Sequence, residues 1–261
     1  MEKVLVVGEN SFIGKHLTKF DRVSFKNFDE VDLENYDVVV NCALNPLYKT
    51  EKYKEAYDAD WYVGRKTCNY GLHYVMLSTS KVYGDSKELV YYTENSQVNP
   101  YDYHSENKLN TEFKLLSNYG NKITILRGSN IFGFEYGRNS FVGYCMTKLV
   151  NEGIIEYNIS QMVRRDFLYI DDAVDLIERV CAVKPFGVYN LSSNYALPIG
   201  KVAEYLIAGY SYGGQLKLTG WEKERQFALE NGRLSNILGM KIGPFDYEKI
   251  FNDLGKQLCK I

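Results

Sequence analysis

The sequence predicts an α/β protein built on a parallel sheet, and three observations predict it. Short apolar runs recur at residues 4–7, 38–40 and 74–77, and again at 123–126 with Thr124 as the one polar member. They lack the alternation of a half-exposed strand, which is the pattern of strands covered on both faces. Between them lie apolar residues at helical spacing: Phe12, Ile13, Leu17 and Phe20, then Leu109, Phe113 and Leu116. Glycines punctuate the junctions, with Gly8 breaking the first strand and Gly71 and Gly120 closing helical stretches.

With 261 residues the chain is long enough for one sizeable core with a second lobe. It is 45% apolar and 25% charged, the make-up of an ordinary globular protein. A net charge of −2 gives no electrostatic reason to expect nucleic acid or an anionic membrane as partner. No apolar run approaches the length of a membrane span. The start, Met1-Glu2-Lys3, runs directly into a strand, and no signal peptide is expected. Cys42, Cys68, Cys145, Cys181 and Cys259 are scattered and never form a Cys-x-x-Cys pair. That pattern predicts neither disulfides nor a metal site and fits a reducing, cytoplasmic setting.

The first strand is expected to end at Val7 and a helix to begin near Phe12. Backbone N–H groups at such a junction, with the helix dipole, favour a phosphate. Gly8 permits the tight turn, Gly14 lets the helix lie close on the sheet, and Asn10, Ser11, Phe12 and Ile13 fill the space between. Gly8, Ser11 and Gly14 resemble the Gly-x-x-Gly-x-x-Gly turn of the extended short-chain dehydrogenase/reductase family, with serine in the middle slot. Val23 to Phe25 reads as a second strand, and residues 29–36 have room for a turn or two of helix. Lys26 and Asp29 both lie where the adenosine ribose is read, one basic and one acidic, which leaves NAD and NADP both open. Residues 37–41 form the third strand. Asn41, Cys42 and Ala43 at its end resemble the segment that runs past the cofactor in that family. Residues 51–70 are helix-compatible.

The next strand, from His73, leads into Ser78-Thr79-Ser80-Lys81-Val82-Tyr83-Gly84, which resembles the family's Ser-[Ser/Thr]-x-x-Val-Tyr-Gly. The resemblance implies that Thr79 is the catalytic hydroxyl and that Ser80 lies beside substrate. Lys81 reads either as a substrate contact or as a solvated surface lysine. Residues 99–108 lead into a helix that resembles the family's Tyr-x-x-x-Lys helix, with Ser105, Asn107, Lys108 and Glu112 all matching. His104 occupies the tyrosine slot, the one clear departure. Tyr103 is one residue too early, about 100° around the helix from the lysine's face. Farther on, Arg127 to Gly133 resembles Arg-x-x-Asn-x-[Tyr/Phe]-Gly, and Arg165 to Asp172 resembles Arg-Asp-Phe-x-Tyr-[Val/Ile]-x-Asp, with Asp171 or Asp172 expected to cap a helix from Ala173. Gly187 to Leu191 resembles the family's Gly-x-Tyr-Asn-[Ile/Leu] strand. Residues 207–261 say little.

Together these motifs resemble the NAD-dependent epimerase/dehydratase branch, including the 4-keto-sugar reductases such as the dTDP-4-dehydrorhamnose reductases. The resemblance implies a Rossmann-type doubly wound parallel sheet with a smaller C-terminal substrate lobe. Residues 1–127, with 171–192 returning, would hold NAD or NADP, and residues 128–261 would hold a nucleotide-linked sugar. Thr79 would orient the reacting oxygen, Lys108 would hold the nicotinamide ribose, and Asn130 and Arg165 would bind substrate. Arg165 suits bidentate pairing with phosphate. A homodimer through the Lys108 helix is implied as well. Imidazole titrates near ~6.5. Lys108 and an oxidised nicotinamide would keep His104 neutral, as a base for oxidation, whereas a reduced, uncharged nicotinamide would make a protonated, proton-donating ring easier to hold. Three readings stay open: an oxidoreductase or epimerase using His104 or a relayed water, a 4-keto-sugar reductase using Tyr83 or Tyr103 instead, and a cofactor-binding sensor or partner subunit without turnover.

Overall fold

The computed structural model describes residues 2–261. The strands of its first half are β1 (Val4–Val7), β2 (Asp21–Val23), β3 (Val38–Asn41), β4 (His73–Thr79), β5 (Val90–Tyr92) and β6 (Ile123–Gly128). Those of the second half are β7 (Asn130–Phe132), β8 (Ile154–Ile159), β9 (Arg164–Tyr169), β10 (Gly187–Leu191), β11 (Ala196–Pro198), β12 (Gln215–Glu222) and β13 (Phe227–Leu229). The helices are α1 (Leu47–Thr50), α2 (Ala59–Asn69), α3 (Tyr103–Tyr119), α4 (Phe141–Glu152), α5 (Ile170–Val183), α6 (Ile199–Gly209), α7 (Gly232–Leu238) and α8 (Tyr247–Leu258). None is long and apolar enough to cross a membrane.

Six parallel strands form a Rossmann-like sheet in the order β2-β1-β3-β4-β6-β10. Side chains of β1 alternate between its two covered faces. Leu5 and Val7 meet Val63 and Cys68 of α2 and Leu115 of α3. Val4 and Val6 meet Ala173, Leu176 and Ile177 of α5 and Leu234 of α7. The strand order runs outward in both directions from β1 and β3. In such a sheet the ligand crevice opens beyond the carboxyl ends of those two strands.

A second core is built by α4, α6 and α8 around Phe132, Phe167 and Phe251, with the Phe132 and Phe251 rings stacked at 4.5 Å. Its strands run β11-β9-β13-β5, with β7 joined to β9. A separate pair, β8 and β12, lies alongside.

The expected helix after Gly8 is not formed. A single 3-10 turn, Gly14–His16, stands in its place, and β2 begins at Asp21. Only seven residues run from Gly14 through Phe20. At about 1.5 Å per residue, an α-helix of that length is too short to carry the chain back along the sheet, and the 3-10 form gains about 2.0 Å per residue. Leu17 is still buried against the sheet. The same economy follows β2, where 3-10 segments Phe25–Glu30 and Leu33–Asn35 bury Phe28 and Leu33. Three smaller expectations are also corrected. The 51–70 helix starts only at Ala59, where Asp58 caps it by accepting from the Trp61 N–H. Phe113 faces outward, 57% exposed, because the buried face of α3 is Ser105, Lys108, Leu109, Thr111, Glu112 and Leu115. Helix α5 begins at Ile170, so Asp171 and Asp172 lie in its first turn, near the positive end of its dipole, rather than capping it.

Candidate active site

Strand β1 ends at Gly8, whose φ of +93° suits glycine alone, and a Cβ there would stand 2.5 Å from the Ala43 nitrogen. Gly14 is equally confined: a Cβ would overlap the Gly8 carbonyl oxygen. The Ser11 hydroxyl accepts from the Gly14 N–H at 3.0 Å and so holds the turn closed from inside. The turn therefore keeps its tight backbone without a helix behind it.

That turn opens into a cleft of about 390 Å³. Its lining includes Ser11, Phe12 and Ile13 after β1, Asn41, Cys42 and Ala43 after β3, Thr79 at the end of β4, and His104 and Lys108 on α3. Gly8, Asn10 and Gly14 belong to the turn but do not line the cleft. Burial, with smaller effects from its neighbours, pushes the Cys42 thiol up to about 12, which leaves it unreactive.

Lys108 is buried and committed. Its ammonium donates to Asp60 Oδ2 at 2.6 Å and to the Leu77 carbonyl at 2.7 Å. Asp60 is itself fixed by Asn41 Nδ2 at 2.8 Å and by the Tyr74 hydroxyl at 3.1 Å. Asn41 also closes the turn after β3 by bonding the Ala43 backbone in both directions. Three segments thus meet on one carboxylate beneath the cleft.

His104 lines the cleft one helical turn before Lys108. Burial first, then the ammonium groups of Lys108, Lys49 and Lys81, push its imidazole down to about 3, with Asp102 opposing weakly. The ring is neutral near pH 7. Asp102 caps α3 by accepting from the Ser105 N–H and pairs with Lys81 at 2.6 Å. Thr79 Oγ1 accepts from the Lys81 N–H at 3.3 Å.

The matching Glu112 and Arg127 form a buried brace, and the half-buried Ser78, which also lines the cleft, is tied to it. Arg127 donates to Glu112 Oε2 at 2.6 Å, and the Ser78 hydroxyl donates to Glu112 Oε1. Neither tyrosine offered as another proton carrier lines the cleft. Tyr83 is buried, bonded to Asn190 Oδ1 at 2.7 Å, and pushed up to about 12, mostly by burial. Tyr103 is 40% exposed.

Lys81, Asn130 and Arg165 line a second hollow of about 440 Å³ with Tyr101, Lys223 and Arg225. Arg165 pairs there with Glu224 at 2.5 Å, and the Asn130 amide donates to the Asp166 carbonyl. Ser80 departs from its expected place. It is buried and lines neither space, with its carbonyl accepting from Arg225 at 2.7 Å. A third hollow of about 700 Å³ lies on the other side of Ala43 and Leu44 and includes Lys26 and Asp29. Asp29 is tied to Lys66 at 2.7 Å and to the Tyr62 hydroxyl.

Three cleft groups escaped the sequence: Lys49 of α1, Arg138 of the loop after β7, and Asp60 beneath them. No local pattern marks them, because each acquires its neighbours only through tertiary folding.

Residues 25–192 match the family model described as the NAD dependent epimerase/dehydratase family. An uncharacterized 37.6 kDa protein in the cld 5′ region of Escherichia coli O111:H- is 27% identical over 176 residues. That alignment covers 66% of this chain and 52% of the relative, so the chain spans about half of the relative's length. Among solved structures, UDP-N-acetylglucosamine 4-epimerase from Methanobrevibacter ruminantium M1 superposes with a TM-score of 0.82 at 15% identity, over 99% of this chain and 98% of that one. The dTDP-glucose 4,6-dehydratase of Bacillus anthracis gives 0.80 at 16% identity, over 100% and 97%. The likeness of fold spans the whole chain, and the family match covers more than half of it: the chain belongs to the NAD dependent epimerase/dehydratase family.

Proposed function

We propose that this protein is an NAD(P)-dependent oxidoreductase or epimerase acting on a nucleotide-linked sugar, with His104 in the slot usually held by tyrosine. One observation carries the reading: Thr79, His104 and Lys108 share a single cleft with the glycine turn at the β1–β3 crevice. The cleft and the hollow beyond Ala43 and Leu44 together fit a dinucleotide lying across the strand ends. A bound nicotinamide would supply hydride exchange with the sugar carbon. Lys108 would face its ribose, Thr79 would orient the sugar oxygen, and Lys81, Asn130 and Arg165 would meet the nucleotide-linked end of the substrate.

His104 decides the direction of proton traffic. A neutral ring offers a lone pair, so it accepts a proton as a sugar hydroxyl is oxidised. Donation requires the protonated ring, which burial and three ammonium groups oppose. A base held at about 3 is weaker than one poised near neutrality, and slow turnover is the expected outcome. His104→Tyr is expected to raise kcat at least about tenfold, and His104→Ala to lower it, measured by absorbance with NAD and NADP over a panel of UDP- and dTDP-sugars.

A second reading is a cofactor-binding protein without turnover. The low basicity of His104 and the commitment of Lys108 to Asp60 favour it. Cofactor binding by calorimetry with no product from any sugar, for wild type and His104→Tyr alike, would select it. Absence of binding by NAD(H) and NADP(H) would exclude both readings.

A further inference from the structure

A diphosphate on the turn after β1 is ordinarily neutralised by the start of the helix behind it. Here only the 3-10 turn Gly14–His16 follows, and it has no helix dipole to offer. We propose that Arg138 and Lys49 replace it, supplying from outside the turn the positive charge that holds the diphosphate of a nucleotide cofactor. The proposal rests on the cofactor reading above.

Arg138 comes from the loop between β7 and α4, yet its guanidinium carbon lies 3.9 Å over the centre of the Phe12 ring, in the middle of the turn. Stacking on an aromatic face fixes a guanidinium plane and leaves its edge free to pair with phosphate oxygens. Its carboxylate neighbour, Glu135, meets one nitrogen at 3.0 Å. Glu135 is buried and already engaged by the Ser140 hydroxyl and the Gly133 N–H.

Lys49 lines the same cleft and has no ion pair among the described residues. Burial first, then Arg138, Lys108 and Lys81, hold its ammonium below the usual lysine range. Such crowding of like charge is relieved by a bound anion. No aspartate or glutamate lines the cleft. Asp60 lies below it and is paired with Lys108, so Lys49 and Arg138, which keeps one nitrogen on Glu135, remain as the cations facing a ligand.

The test is a titration of the full chain with NADH, NADPH, ADP and adenosine, followed by fluorescence and calorimetry. Wild type is compared with Arg138→Gln, Lys49→Gln, the double variant and Arg138→Lys. Both side chains are at the surface, so an unchanged thermal melt is the control. Each single glutamine variant is expected to weaken NADH and ADP roughly tenfold, as loss of a charged hydrogen bond does, and to leave adenosine unaltered. The double variant is expected to lose most of the salt dependence of ADP binding. Arg138→Lys should recover only part of the loss, because it keeps the charge and loses the stacked fork. If NADH binds wild type and the double variant within twofold, the proposal is overturned and the cofactor reading stands. Equal weakening of ADP and adenosine also overturns it, since the diphosphate would then not be what the two cations hold. Failure of NADH, NADPH and ADP to bind the folded wild type overturns the proposal and the cofactor reading together.

Discussion

Lys108 spends its charge inside the protein. Its ion pair with Asp60 is almost wholly removed from solvent, and breaking such a pair from one side leaves an uncompensated charge at a cost of about 3–5 kcal/mol. Asp60→Asn is therefore expected to lower the unfolding free energy by an amount in that range, seen in equilibrium urea unfolding as a lower midpoint with an unchanged slope. At this scale the sequence was legible where chemistry sits at fixed spacing. Thr79, His104 and Lys108 were singled out by their places relative to one another, and all three line one cleft. Asp60 was not, because a carboxylate in a polar stretch looks solvated until folding brings Asn41, Tyr74 and Lys108 onto it. Ser80 misled for the opposite reason. Its motif position is right, but the strand end turns its backbone toward Arg225.

Among the elements, the strands were the most legible, since an apolar run bounded by glycine or polar residues leaves few alternatives. The helices next to β2 were the least. Phe12, Ile13, Leu17 and Phe20 have helical spacing, but too little chain follows to make the crossover, and length overrode periodicity. The α6–α8 contact was equally hidden. Gly209 and Gly255 let the two backbones touch, and a Cβ on Gly255 would overlap the Leu206 carbonyl. Gly255→Ala must push the helices apart. The expected loss is about 1–3 kcal/mol, seen as a fall in Tm of roughly 2–10 °C in a calorimetric scan, with the β1 turn and its ligand affinity unaffected.

Over the whole molecule, two histidines lower stability in acid, opposed by Asp166 and Asp172, whose carboxyls burial pushes up to about 6. Burial and nearby lysines hold His104 near 3 and His73 near 4, against about 6.5 in the unfolded chain. Below 6.5 the unfolded state takes up protons that the native state refuses. Their contribution is thus fully present above that pH and is lost progressively as pH drops toward 4 and then 3. At pH 5 each ring costs up to about 2 kcal/mol. His104→Gln is expected to raise stability at pH 5 relative to pH 7 by up to about 2 kcal/mol compared with wild type, measured by urea unfolding at both. The doubly wound sheet itself was legible from its apolar runs and motifs, whereas the second sheet was not, because its short strands pair across long distances. Among the described residues, strand β5 pairs only with β13, about 135 residues later. During synthesis, residues 90–92 therefore wait unpaired until residues 227–229 leave the ribosome. The edge of the second sheet is completed late, and any pause or premature stop in that final stretch is expected to leave an open β-edge for a neighbouring nascent chain to capture.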